Sequence, residues 1–98
     1  MKTPEEIWDV FVAWKDDKLA PYKKAVEDAR SRETAANMER DAAFAAYCKN
    51  MANPRTLYNT RKAAIAAQKK RIAAEALYDY KFSEFSMDAF LKEYEVEP

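Results

Sequence analysis

Carboxylates come in adjacent pairs along this sequence: Glu5/Glu6, Asp16/Asp17 and Glu27/Asp28. Two carboxylates aimed at one point could do acid–base work or hold a hard cation. Neighbouring residues on a helix face different ways, however, so these pairs cannot grip one substrate together. The helical di-metal sites built from Glu and Glu-x-x-His need histidine, and the chain contains none. Without His there is also no ordinary base beside Ser31, Ser83 or Ser86, which suit helix-surface or capping positions instead. Gly is absent too, which removes phosphate-cradling loops. The expectation is a protein that binds rather than catalyses, with no catalytic residue, no metal and no cofactor.

The lone Cys48 has no internal disulfide partner. Its Ala-rich surroundings predict a small buried thiol, and a single Cys fits a reducing compartment. The bases are more suggestive. From Lys49 to Arg71 there are seven Lys and Arg and no acid, whereas residues 75–98 hold seven acids and two bases. Arg55, Arg61, Lys62, Lys69, Lys70 and Arg71, with Tyr58 and Asn59 among them, could track a phosphate backbone. Against that, Lys62 and Lys69 share one side of a helix while Arg61, Lys70 and Arg71 point elsewhere. The net charge is zero, although dedicated nucleic-acid binders usually carry surplus positive charge. Nucleic acid is therefore the second reading and protein the first.

Aromatic side chains are the residue types that dominate protein-binding hot spots. The candidates for protein contact are Trp8, Phe11, Trp14 and Tyr22, followed by Phe85, Phe90 and Tyr94.

These groups must be positioned by a chain of 98 residues, which is one domain, 1–98. Leu, Ile, Val and Phe number 16 and Ala alone 19, so there is little large aliphatic material to bury. Zero net charge, 13 % aromatics and abundant Ala favour an ordered helical protein over a disordered one. No signal peptide, transit peptide or spanning stretch is evident, so the expected location is cytoplasmic.

The predicted fold is all-α: a long antiparallel αα-hairpin flanked by a short N-terminal and a short C-terminal helix. Thr3-Pro4-Glu5-Glu6 is a capped helix start, and the first helix should run over about 4–17. Pro21 removes a backbone donor and predicts a break, with a second helix over about 20–50. Asn50 can take the left-handed position after a helix, and Asn53-Pro54 reads as the cap and first residue of a third, over about 54–81. Ser86 would cap a fourth over about 87–95, leaving Val96-Glu97-Pro98 as a frayed tail.

The apolar faces outnumber what these elements can cover. Ile7, Val10, Phe11 and Trp14 form one stripe on the first helix, and Trp8, Val12 and Leu19 a second beside it. Together they span roughly 200°, where an ordinary surface helix needs ~100°. Tyr22, Ala29, Ala36 and Ala43 recur every seven residues, flanked by Val26, Met38, Ala46 and Tyr47, the period of a coiled-coil seam. The third helix has two strips: Tyr58, Ile65 and Ile72 with Ala66, Ala73, Ala76 and Tyr80, and Leu57, Ala64, Ala67, Ala74 and Tyr78. The surplus predicts a homodimer, with Trp14 in the core and Trp8 at the interface. The functional expectation is a self-associating interaction module acting as adaptor, assembly factor or inhibitor of a larger protein. Its size and make-up suit a small accessory protein of a phage or mobile element.

Overall fold

The computed structural model describes residues 2–51 and 53–95; the tail expected at 96–98 lies outside them. Three helices account for 91 % of the described residues, and there is no strand among them. Helix α1 covers Pro4–Cys48, α2 Pro54–Glu84 and α3 Met87–Glu95. The first two lie against each other along most of their length, and α3 folds back on α1.

Local chemistry sets the boundaries. The Thr3 hydroxyl accepts from the backbone N–H of Glu6 at 3.2 Å, and Asn53 Oδ1 accepts from Thr56 N–H at 2.9 Å. Each cap is followed by Pro at the first helical position, where a missing donor costs nothing. At the far end of α1, Asn50 takes φ 57°, its N–H donating to Tyr47 O and the Met51 N–H to Ala46 O. That bond pair is a Schellman motif, here built with Asn in place of Gly. Ser86 caps α3 by accepting from Ala89 N–H at 3.3 Å.

Pro21 does not break the chain. Separate helices over 4–17 and 20–50 are corrected to one continuous α1 of 45 residues. Pro21 is exposed, so the Asp17 carbonyl that loses its helical donor can turn to water. Leu19 and Val26 are buried and Tyr22 half-buried on the same side, so packing holds both flanks of the proline in register.

The seven-residue row Tyr22, Ala29, Ala36, Ala43 lies on the inner face of the hairpin, with Ala43 buried and the others half-buried. On α2, Leu57, Ala64, Ala67, Ala74 and Tyr78 turn inward to meet it. Met38, grouped with that seam by sequence, is 68 % exposed instead. Phe11, Leu19, Val26, Ala43, Ala64 and Phe90 are the buried core, a short set for the size of the chain. The molecule is a rod of 73 × 17 × 14 Å with a radius of gyration of 21.4 Å, against ~13 Å for a compact domain of this length.

Replacing Pro21 with Ala restores the missing helical bond and should stabilise the fold by about 1–3 kcal/mol. Ala36→Pro should cost ~3 kcal/mol or more, while a few flexible residues inserted before Asn53 should cost well under ~1 kcal/mol. Urea unfolding of the three variants checks the ranking; equal midpoints for the insertion and Ala36→Pro would contradict it.

Candidate protein-interaction surfaces

The aromatic residues divide by element. Below Trp14, which meets the end of α2 at Phe85, α1 extends past α2, and α3 covers it there. Phe90 of α3 is buried and meets Phe11 at 5.5 Å and Trp14 at 5.4 Å between ring centroids. Trp14 also meets Phe85 edge-on at 5.7 Å, and its indole N–H donates to Glu93 at 3.3 Å. The ring thus joins Phe85 and Phe90, the residues on either side of the Ser86 cap. Lys15 lies over the Phe82 ring at 3.6 Å, a cation–π contact between α1 and α2.

Of the seven aromatic candidates, Phe11 and Phe90 are therefore buried in this cap, and Trp14, Phe85 and Tyr22 are half-buried in it or in the hairpin. Trp8 and Tyr94 edge the cap, Trp8 on Phe11 at 5.5 Å and Tyr94 stacked on Phe90 at 5.4 Å, and stay 56 % and 44 % exposed. The first stripe of α1, Ile7, Val10, Phe11 and Trp14, is the one turned inward. In the second stripe Leu19 is buried while Trp8 and Val12 face out.

Of the two strips on α2, the one carrying Tyr58, Ile65, Ile72 and Tyr80 is open to solvent, each residue at least half exposed, with Ile65 at the edge of a groove shared with Glu33, Asn37 and Arg40 of α1. Sequence reasoning separated this strip but kept the site to Trp8, Phe11, Trp14, Tyr22, Phe85, Phe90 and Tyr94. The seven-residue spacing of Tyr58, Ile65 and Ile72 was the signal that could have promoted it. Phe44, Met51 and Leu77 are also exposed, and no periodic row singled them out.

The basic segment splits in the same way. Arg71 is drawn into the hairpin, where Nε donates to both Glu33 oxygens at 3.0 and 2.8 Å and a terminal nitrogen to Glu75 at 2.9 Å. Arg30 reaches the other Glu75 oxygen at 3.0 Å. Hydrogen bonding to Glu33 raises the Arg71 guanidinium above its ordinary value, so Arg71 stays protonated at any working pH. Arg71 is thus engaged with the protein itself. Arg55, Arg61, Lys62, Lys69 and Lys70 are exposed and form no ion pair among the described residues. Arg55, Lys62 and Lys69 repeat every seven residues beside Tyr58, Ile65 and Ile72.

Cys48 is exposed, not buried as its Ala-rich context predicts, because it closes α1 beyond the last inward turn. Among the described residues no three acidic or thiol groups converge as a metal-ligand set. No described helix is long and apolar enough to cross a membrane. The depressions are open grooves; the roomiest, about 450 Å³, runs between the helices over Ala25, Ala29, Ala63, Ala66 and Ala67. Comparison with known protein families, curated proteins and solved structures finds no match to this chain.

The cap residues and the open residues should separate by mutation. Phe90→Ala should cost about 3–5 kcal/mol of stability, as a buried aromatic does, and Trp8→Ala or Tyr94→Ala under about 1 kcal/mol. Urea titrations at one fixed protein concentration measure this. A Trp8→Ala cost equal to that of Phe90→Ala would place Trp8 in the cap rather than on an open face.

Proposed function

We propose that this chain is a non-enzymatic, self-associating helical interaction module that serves as adaptor, assembly factor or inhibitor of a larger protein. The carrying observation is the arrangement of the large apolar side chains left open. A compact chain of 11.4 kDa exposes about 5,800 Å², whereas this one exposes 7690 Å². The excess, roughly 1,900 Å² of total surface, comes with the rod shape and leaves room for the ~800 Å² each partner contributes to a standard interface. The open side chains are also ordered in rows. Tyr58, Ile65, Ile72 and Tyr80 share one face of α2, and Trp8 and Val12 one face of α1. Contiguous open apolar surface of this kind marks association sites more often than bare solvent faces.

Mass action gives the test. If association is part of folding, the thermal midpoint should rise by about 3–4 °C per tenfold increase in concentration, from the unfolding enthalpy of two such chains. Light scattering coupled to size-exclusion chromatography should give twice the chain mass. A midpoint independent of concentration together with a single-chain mass would remove self-association and leave only a different protein as partner.

A further inference from the structure

Resting on the self-association reading, we propose that the outward face of α2 is the homodimer seam and that a second copy packs on it antiparallel, α2 against α2. Two adjacent seven-residue rows make up this face. One holds Tyr58, Ile65, Ile72 and Asp79; the other Arg55, Lys62, Lys69, Ala76 and Ser83. All nine are exposed in the single chain. A pair of rows offset by three and four residues is what one helix presents to another in knobs-into-holes packing.

Charge selects both the occupant and its direction. On the two rows, Arg55, Lys62 and Lys69 supply the bases toward the N-terminal end and Asp79 the acid toward the C-terminal end, while Glu75 is held by Arg30 and Arg71 and Glu84 by Lys81. A parallel pair would lay basic half on basic half. An antiparallel pair can set Lys62 beside the partner's Asp79, and it does so twice because the seam is two-fold symmetric. Setting each row against the other row of the partner gives one consistent register. Lys62 then faces Asp79 of the second copy, Ile65 faces Ala76, Ile72 faces the aliphatic stem of Lys69, and Tyr58 faces Ser83. The two isoleucines lie at the centre, beside the two-fold axis, and the ion pairs lie outside them. The overlap is about 28 residues, or ~42 Å of helix. The surplus surface of each chain is ample for such a seam.

Reversing the charge at either side of the Lys62–Asp79 contact tests the arrangement. Lys62→Asp alone and Asp79→Lys alone each create two like-charge contacts per dimer and should weaken association at least about tenfold. The chain carrying both substitutions regains opposite charges across the seam and should recover most of that loss. Both positions are exposed, so circular dichroism should show unchanged helix in all three. Direction is read separately, with Cys48→Ser and a nitroxide at Ser83→Cys. The antiparallel register sets the two labels about 38 Å apart along the seam, and a parallel pair within ~20 Å. Tenfold weakening, rescue and the long distance together support the seam. A dimer that ignores both reversals, or one with the short distance, overturns the seam and leaves self-association standing. A monomer at every concentration overturns both. Association abolished by nothing but added salt, with a duplex oligonucleotide bound in its place, overturns the seam in favour of phosphate contact.

Discussion

Two long helices lying side by side can bury only the faces they turn toward one another, and here those faces are built largely of Ala. Ala29, Ala36 and Ala43 on α1 oppose Ala64, Ala67 and Ala74 on α2. Such a seam lets the axes come close, but each side chain withdraws little area from water, at about 0.8 kcal/mol per buried CH₂. Specificity along it comes from charge. Glu33 takes the place that Val26 and Leu19 hold one and two repeats earlier, and Arg71 the place that Ala64 and Tyr78 hold on α2. Their bidentate pairing, extended through Glu75 to Arg30, is satisfied in one alignment of the two helices. A slip of one repeat would put Glu33 against Ala and leave a half-buried charge without its mate. The Ala rows permit many registers, and this network favours one.

Large side chains are concentrated where the hairpin cannot supply a second wall. Toward its N-terminus, α1 outruns α2 below about Trp14, and the chain folds α3 back to bring Phe85 and Phe90 onto Phe11 and Trp14. The opposite end has no such cover. Phe44, Tyr47 and Met51 are 49, 41 and 78 % exposed around the turn, held by the Schellman bonds and the Asn53 cap rather than by packing. Opening at low free energy is therefore expected to begin at the turn and to reach the aromatic cap last.

Much of this was legible in the sequence because the signals were local. Thr3-Pro4, Asn50, Asn53-Pro54 and Ser86 state their caps in the residues themselves, and the all-α hairpin follows from them. Pro21 was misread for a physical reason: propensity charges its cost to the helix alone, whereas the buried Leu19 and Val26 on either side offset it through contacts with a distant segment. Which of two strips on α2 faces inward was not decidable from periodicity, since both repeat every seven residues. It is decided by the partner helix. On α1 Glu33 binds Arg71, which fixes the row of Ala64, Arg71 and Tyr78 inward and leaves Tyr58, Ile65 and Ile72 open. The same limit applies to the aromatic candidates: their residue type marks them as contact-formers, but only the fold tells Phe90, spent on the cap, from Trp8, left open.

The mixed character of the outer α2 face bears on what it is built to meet. A surface for a phosphate backbone needs cations in a line, and Arg55, Lys62 and Lys69 provide one. It has no use for Ile65 and Ile72 between them, which at 53 % and 51 % exposure keep apolar area in water beside every phosphate they fail to contact. A helix of alternating apolar and acidic residues would use both rows at once, burying the isoleucines and pairing the lysines. The C-terminal half of α2 has that make-up, with Ala73, Ala76 and Leu77 beside Asp79. On the seam proposed above, one helix supplies both the cation at Lys62 and the acid at Asp79, a pair that a two-fold partner of the same sequence can satisfy.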